Sequence, residues 1–215
     1  MFVTFEGIEG SGKTTQIQKI AEFLSGRGKD CLITREPGGT KIGEKVRAIL
    51  LDPQSKDMDP MTELLLYKAD RVQHVKKLVV PSLSSGKIVL CDRYVDATVV
   101  YQGFARGLDV KLINTLHKLL LEDLKPEITI LLDLSPEVGL SRAWKQIENG
   151  KRDGFETRFE KEAFSFHQKV REGYLELARL EPERFRIVDA SKNETQVCDE
   201  IINLLCLNNG LGLKE

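Results

Sequence analysis

The segment that most constrains this chain is a glycine-rich loop at residues 7–14, which directly follows an apolar run at residues 2–5. The loop satisfies the pattern G-x-x-x-x-G-K-[ST], and the apolar residues after it recur at helical spacing. Its glycines let backbone N–H groups converge on phosphate oxygens, and the following helix offers its positive end. The pattern predicts a nucleoside triphosphate site in which Lys13 reaches the β- and γ-phosphates and Thr14 faces Mg²⁺.

Apolar runs of strand length recur along the chain and are separated by helical patterns. Most of these runs are too apolar for a strand with one solvated face, which favours parallel strands covered on both sides. Strands alternating with helices predict βαβ units, so we expect one P-loop kinase domain over residues 1–215. Its sheet should be parallel and five-stranded, with helices on both faces. The predicted strands are residues 2–5, 31–34, 88–92, 128–134 and 185–189.

The helical patterns carry start signals and apolar stripes. Asp109 is an expected N-cap, and Ser135 followed by Pro136 should open another helix that ends near Ile147. A longer helix is predicted from about residue 159 to residue 177. In the helix after Asp109, we expect the buried stripe to be Leu112, Leu116, Leu119 and Leu120.

Composition excludes several classes of protein. With Lys+Arg 32 against Asp+Glu 33 and a net charge of -1, the chain lacks the strong basic excess expected of a binder of nucleic-acid polymers. Its apolar runs fall far short of a membrane span, and the N-terminus has no secretory leader pattern. The 4 cysteines show no zinc-ligand spacing and are expected to be reduced thiols. We therefore expect a cytoplasmic protein.

Two absences narrow the class of nucleotide-binding protein. The chain has no Asn-Lys-x-Asp guanine-reading tetrapeptide, and Ile8 stands where partition-type ATPases have a lysine. What remains is a kinase whose acceptor is a small molecule or a nucleotide. A nucleotide-dependent switch or partner-binding module stays open as an alternative, as does a kinase for another acceptor such as a deoxynucleoside.

Several charged residues should meet at the carboxyl edge of the sheet, where ligands of open α/β sheets bind. Arg35, Arg47 and Arg93 can line one cleft there and hold a second phosphate, since guanidinium groups bind phosphate in a fork. Glu9 must point away from the phosphates of the bound nucleotide, either toward a sugar hydroxyl or toward solvent. Asp92 ends the third strand and either holds Mg²⁺ or pairs with an arginine.

The order of these motifs closely resembles the thymidylate kinase family, a branch of the nucleoside monophosphate kinases. The matching pieces lie between residues 7 and 160 and occur in the order of the family. They are residues 7–15, Arg35-Glu36-Pro37-Gly38-Gly39-Thr40, Asp70-Arg71, Asp92-Arg93-Tyr94, Tyr101-Gln102-Gly103 and Arg158-Phe159-Glu160.

The resemblance implies phosphoryl transfer from ATP to dTMP with Mg²⁺, and a homodimer. It implies that Arg93 and Arg47 hold the dTMP phosphate, Glu9 meets the 3′-hydroxyl, Arg71 donates to the base O4, and Tyr101 packs on C2′. Tyr67 stands where the family has an aromatic residue that stacks on thymine. The full set implied for dTMP is Glu9, Arg35, Pro37, Arg47, Tyr67, Arg71, Arg93, Thr98, Tyr101 and Gln102.

The donor side is implied in the same way. A short mobile lid at about residues 142–158 should bring a cation to the transferring group, because Gly10 and Ser11 occupy the loop positions where some family members carry one. Arg158 is the first candidate and Arg152 the second, while a solvated charged loop remains the alternative. The expected catalytic residues are Lys13, Asp92, Arg93 and Arg158, with Thr14 and Asp92 at the metal. The expected ATP-binding residues are Gly7, Ile8, Glu9, Gly10, Ser11, Gly12, Lys13, Thr14, Thr15, Arg142 and Arg152.

Overall fold

The computed structural model of the protein describes residues 1–150 and 155–207. These residues form a five-stranded sheet of order β2-β3-β1-β4-β5, in which every pairing is parallel. The predicted α/β class is confirmed, and each strand lies within one residue of its predicted ends. The strands are β1 Phe2–Glu6, β2 Cys31–Arg35, β3 Ile88–Asp92, β4 Ile128–Asp133 and β5 Phe185–Asp189.

Helices cover both faces of the sheet. Two short π-helical segments, Val75–Val79 and Val99–Ala105, each continue an α-helix without a break. Asp109 and Ser135 accept hydrogen bonds from the backbone N–H groups of Lys111 and Val138, which confirms both expected caps. Within the described residues the helices are α1 Lys13–Ser25, α2 Lys41–Leu51, α3 Pro60–His74, α4 Val80–Ser84, α5 Val95–Thr98, α6 Val110–Leu121, α7 Pro136–Glu148, α8 Phe164–Leu180 and α9 Glu194–Leu207.

The strands are buried because alternate side chains enter two different apolar clusters. Val3 and Phe5 belong to a cluster that includes residues of α1, α8 and α9. Phe2 and Cys91 belong to a smaller cluster with Val75 and other residues on the opposite side. Burial on both faces explains why the strands are almost continuously apolar. Within residues 1–150 and 155–207, no helix combines the length and the apolar character needed to cross a membrane.

Two details of the helical predictions were wrong. On α6 the buried positions are Ile113, His117 and Leu121, whereas Leu119 is 74% exposed. The helix is apolar on more than one side, and α3 and the segment Val99–Ala105 pack against the Ile113 side. The predicted stripe of Leu112, Leu116, Leu119 and Leu120 therefore lies largely outside the core.

The second error concerns the start of α8, which begins at Phe164 rather than at Phe159. Residues 158–162 form turns, and Phe159 folds back so that its ring centroid lies 5.4 Å from that of Tyr101. The apolar character of Phe159 thus reflects packing against the 99–105 segment rather than a position on the helix.

Candidate active site

The phosphate loop connects β1 to α1 as predicted, and it packs directly against the start of α7. Gly10 has a φ of 70°, and a Cβ atom there would lie 2.0 Å from the carbonyl oxygen of Gly139. A Cβ atom on Gly139 would in turn lie 2.5 Å from the carbonyl oxygen of Glu9. Only glycine fits at both positions, so the loop is fixed by contact between two backbones.

Lys13 is buried beneath this loop. Its Nζ donates to the carbonyl oxygens of Gly7 at 3.0 Å and Ile8 at 2.9 Å, and to Ser11 Oγ at 3.3 Å. Burial, followed by the nearby charge of Arg93, lowers the pKa of Lys13 to about 8. A phosphate bound to the loop would place a negative charge near Lys13 and would therefore favour its charged form.

Thr14 and Asp92 meet at the mouth of the loop, where Thr14 Oγ1 donates to Asp92 Oδ2 at 3.1 Å. In the described part of the chain, Asp92 forms no ion pair with an arginine, so the alternative of a purely structural carboxylate gains no support. A hydroxyl and a carboxylate beside a phosphate loop are the oxygen donors that suit Mg²⁺. These two residues fit that ion.

The Glu9 side chain is buried against other side chains rather than exposed to solvent. Its Oε1 accepts from Arg93 at 2.9 Å and from the Tyr101 hydroxyl at 2.6 Å. Its Oε2 is buried, has no hydrogen-bond partner among the described residues, and lies 3.3 Å from His167 Nδ1. Burial alone would raise the pKa of Glu9, but Arg93 and His167 outweigh it and hold that pKa well below its usual range.

Arg93 follows β3 in the left-handed region, with a φ of 67°. This conformation costs energy for a residue other than glycine and is held here by side-chain contacts. Besides its bond to Glu9, the guanidinium donates to the Tyr174 hydroxyl at 3.1 Å and lies over the Tyr101 ring. Tyr174 donates onward to the buried Glu6, so Arg93 is fixed from three sides.

Arg71 is buried on α3 at the opposite end of the same cleft. It donates through Nε to Glu36 Oε2 at 2.6 Å, and through one Nη to the Tyr94 carbonyl and the Thr98 hydroxyl. Its other Nη is buried and has no partner among the described residues. A guanidinium group with buried, unused N–H donors beside a cavity is suited to a carbonyl of a ligand.

Arg47 and Arg35 already carry acidic partners. Arg47 makes a two-point contact with Glu156 at 2.8 and 2.6 Å and donates to the Pro37 carbonyl at 3.0 Å. Arg35 is more exposed and pairs with Glu44 at 3.0 Å. The Glu156 carboxylate therefore uses the same two N–H groups of Arg47 that would bind a phosphate in a forked contact.

The remaining residues assigned to the acceptor lie between α3 and the helical segment after β3. Gln102 donates to Glu63 Oε1 at 2.7 Å, which leaves its side-chain carbonyl available. Tyr67 is half-buried, and burial, with the nearby Glu63, raises its pKa. Both residues border the cleft together with Thr98.

The described arginines that were assigned to the lid, Arg142 and Arg158, do not line the cleft. Arg158 is only 4% exposed, and its guanidinium donates to the Leu50 carbonyl at 2.9 Å and to Glu63. Arg142 lies on α7 and donates to the carbonyl of Ala190, just after β5. Arg152 lies outside the described residues. The structure therefore leaves the mobile lid and the cation that it would carry as predictions.

These side chains surround one cleft of about 700 Å³, a size suited to small molecules. It runs from the phosphate loop to Arg71 along the carboxyl ends of β1, β2 and β3. Gly7 and Ile8 lie behind the loop, and Arg142 and Arg158 do not line the cleft. The predicted residues that line it are Glu9, Gly10, Ser11, Gly12, Lys13, Thr14, Thr15, Arg35, Pro37, Arg47, Tyr67, Arg71, Asp92, Arg93, Thr98, Tyr101 and Gln102.

Comparison of the sequence with known proteins identifies the family. The family model described as thymidylate kinase matches residues 5–201. The thymidylate kinase of Desulfosudis oleivorans is 52% identical over 95% of this chain and 96% of that protein, and the one from Desulforapulum autotrophicum is 50% identical over 99% and 93%. The chain belongs to the thymidylate kinase family.

A solved structure agrees with this assignment. The crystal structure of thymidylate kinase from Ehrlichia chaffeensis superposes with a TM-score of 0.75 at 36% identity, covering 95% of this chain and 98% of that one. The resemblance and the P-loop fold inferred from the sequence are confirmed. So is the predicted class, a nucleoside monophosphate kinase that phosphorylates dTMP to dTDP with ATP.

Sequence reasoning missed the partners that hold the site residues of this thymidylate kinase family member. Glu36 was part of a motif that matches the family but had no assigned role, although its carboxylate binds the Arg71 guanidinium group. Glu63, Glu156 and Tyr174 were not singled out as site residues. His74 lies three residues after Arg71, on the same side of α3, which was the available signal for its contact with Glu36.

Proposed function

We propose that this cleft catalyses the transfer, with ATP on the phosphate loop and dTMP between Glu9 and Arg71. The observation that carries the proposal is a pair of buried atoms whose hydrogen-bonding capacity is not used up among the described residues. Glu9 Oε2 is an acceptor whose only close contact there is His167 Nδ1 at 3.3 Å, and one Arg71 Nη is a donor without a partner; both side chains line the cleft. A sugar hydroxyl satisfies the first, and a base carbonyl such as the thymine O4 satisfies the second.

The acceptor phosphate would lie between these two ends, on Arg93 and Arg47. Arg93 is already oriented by Glu9 and Tyr174, so it needs no reorganisation to bind an anion. Arg47 would exchange the Glu156 carboxylate for the phosphate in a similar two-point contact. Arg35 and Pro37 border the same end, while Tyr67, Thr98 and Gln102 would contact the base.

Mg²⁺ would be held by Thr14 and Asp92, with the nucleotide completing its coordination. When bound, the ion neutralises charge on the β- and γ-phosphates. Lys13 would contact the same phosphates from below, and the loop N–H groups would orient them. Arg158 is the proposed lid cation, which requires it to exchange Glu63 for the transferring group, and Arg152 is the alternative.

The acceptor can be tested by ADP release measured with dTMP, dUMP, dCMP, the ribonucleotide of thymine and thymidine. We expect the highest kcat/KM with dTMP, weak release with dCMP, and little with thymidine, which lacks the phosphate that Arg47 and Arg93 would bind. Strong stimulation by thymidine would make the chain a nucleoside kinase. ADP release that no acceptor stimulates would favour a nucleotide-dependent switch.

Tyr101 should set the preference for deoxyribose. Its ring is buried among Phe159, Phe166 and Tyr174, and its hydroxyl is committed to Glu9. A ribose 2′-hydroxyl against this ring would lose a hydrogen bond, which costs ~1–3 kcal/mol or roughly 5- to 150-fold in kcat/KM. Tyr101→Phe should keep this discrimination and Tyr101→Ala should relax it, in kcat/KM ratios for dTMP over its ribonucleotide analogue. An unchanged ratio in Tyr101→Ala would mean that the sugar is recognised elsewhere.

A homodimer in the cytoplasm completes the proposal. Three neighbouring helices, α2, α3 and α6, expose large apolar side chains that a partner subunit could cover. All 4 cysteines are free thiols, as in a reducing compartment. Light scattering should give twice the chain mass, and Leu119→Glu should give a monomer, whereas Leu180→Glu on α8 should not. A monomeric wild-type chain would contradict the proposal. The exposed side chains are Ile42 and Ile49 of α2, Leu65 of α3, and Leu112, Leu119 and Leu120 of α6.

A further inference from the structure

Behind Arg71, a chain of buried hydrogen bonds leads away from the cleft through a residue to which the proposed function gives no role. His74, the last residue of α3, is fully buried. Its Nδ1 lies 2.7 Å from Glu36 Oε1, and its Nε2 lies 2.6 Å from Thr34 Oγ1. The other carboxylate oxygen of Glu36 accepts from Arg71 Nε at 2.6 Å. His74 therefore contacts the carboxylate that orients Arg71.

The direction of these hydrogen bonds follows from Glu36. Burial alone would raise the pKa of this carboxyl group, but Arg71 and His74 outweigh it, so the pKa of Glu36 lies below its usual value. An ionised carboxylate can only accept, and His74 Nδ1 must therefore carry the hydrogen. Each oxygen of Glu36 then has one donor, His74 on Oε1 and Arg71 on Oε2.

The imidazole ring has little freedom to turn. Gly39 follows β2 with a φ of 74°, and a Cβ atom there would lie 2.9 Å from His74 Cδ2 and 2.6 Å from Thr34 Oγ1. The loop after Glu36 thus packs directly onto the ring and onto its hydroxyl partner. A ring clamped in this way holds the Glu36 carboxylate in one orientation.

The donors of Arg71 show what this orientation achieves. A guanidinium group has five N–H donors, and Arg71 uses three of them, on Glu36, Tyr94 and Thr98. The two on the remaining Nη are buried and unused among the described residues. Their position depends on Glu36, because the contact between Arg71 Nε and Glu36 Oε2 helps to fix the plane of the guanidinium group.

We propose that His74 is a positioning residue for recognition of the base, because it fixes the Glu36 carboxylate that anchors Arg71 and so keeps the unused Nη of Arg71 directed at the ligand. The proposal rests on the proposed function, in which that Nη donates to the base carbonyl. Without the imidazole donor, the Glu36 carboxylate would lose the contact that fixes its Oε1 and could turn about its side-chain bonds. The Arg71 guanidinium group, which Glu36 holds through Nε, would then lose its fixed orientation in the cleft.

Two variants separate this role from simple packing. His74→Asn keeps a donor near the position of Nδ1, whereas His74→Gln places its amide near Nε2 and withdraws the donor from Glu36. In His74→Gln we expect the ratio of kcat/KM for dTMP over dCMP to fall about tenfold, mainly through the KM for dTMP, as loss of one hydrogen bond predicts. The value of kcat with dTMP should hold, and His74→Asn should retain most of the wild-type ratio.

His117→Gln is the matched control, since His117 is also a buried imidazole but, in the part of the chain that the structure describes, its ring nitrogens bond to the Leu124 carbonyl alone. It should lower the melting temperature without changing the ratio. If His74→Gln lowers the melting temperature and leaves the ratio intact, His74 is structural and the proposal is wrong; equal loss in His74→Asn contradicts it too. A wild-type protein that does not prefer dTMP over dCMP would instead refute the proposed role of Arg71.

Discussion

Replacing Lys13 by alanine should lower turnover of dTMP by roughly 10³-fold or more while the protein stays folded, because its charge acts on the phosphates of the transferred group. The ammonium group contacts two loop carbonyls and the Ser11 hydroxyl, and among residues 1–150 and 155–207 it makes no ion pair with a carboxylate. The loop faces the cleft, so water can replace these contacts in the variant. Burial already lowers the pKa of Lys13 to about 8, and the fold gains little from its charge.

The measurement is steady-state turnover at saturating dTMP together with the melting temperature. Lys19→Ala is the matched control: Lys19 lies six residues further along the same helix, and its amine contacts Glu194 at the surface at 2.8 Å. We expect normal turnover in that variant. Near-normal turnover in a folded Lys13→Ala protein would remove the phosphate-loop assignment.

The sheet was predictable because parallel strands buried on both faces leave a simple signal. Each strand is a short apolar run bounded by charged or turn residues, as in Ile88–Asp92 before Arg93. The buried side of α6 was not predictable in the same way. Leu112 and Ile113 are both large apolar residues, and the positions of α3 and the 99–105 segment decide which of them faces inward. Periodicity cannot choose between two apolar stripes on one helix.

The site was predictable where its chemistry lies in one continuous segment. The phosphate loop is recognisable from its glycine pattern between a strand and a helix. Asp92 and Arg93 are recognisable because they lie at the end of a clear apolar strand. The partners that orient these groups come from far along the chain: Arg71 and Glu36 are 35 residues apart, and Arg93 and Tyr174 are 81 apart. No local pattern encodes such pairs. They arise because the carboxyl ends of parallel strands meet at one edge, and the helices that follow converge there.

Arg158 illustrates the difference between motif and environment. Its position before Phe159 and Glu160 indicates a lid arginine, yet the structure buries it against Glu63. Glu63 also accepts hydrogen bonds from Gln102 and Arg106. The same carboxylate therefore links Gln102, which is proposed to contact the base, to the segment that carries Arg158. Either Arg158 only anchors this segment, or it leaves Glu63 when both substrates are bound.

A double-mutant cycle on Arg158→Met and Glu63→Gln should distinguish an anchor from a catalytic cation. Removing one partner of a buried pair costs ~3–5 kcal/mol when the other charge is left unpaired, and Arg158→Met should lose less unfolding free energy than this because Arg106 still pairs with Glu63. Glu63→Gln removes that charge, and the double variant should therefore recover much of this stability. Catalysis should not recover, because a cation needed in the transition state is still absent.

We expect kcat to be ~10²-fold lower in Arg158→Met than in the wild type, and lower by the same factor in the double variant than in Glu63→Gln alone. The comparison with Glu63→Gln matters, since that variant also disturbs Gln102 and can change the KM for dTMP. If kcat recovers together with stability in the double variant, Arg158 is an anchor and Arg152 becomes the candidate cation. Persistent loss of kcat in a stable protein would place the Arg158 guanidinium at the transferring phosphoryl group during the reaction.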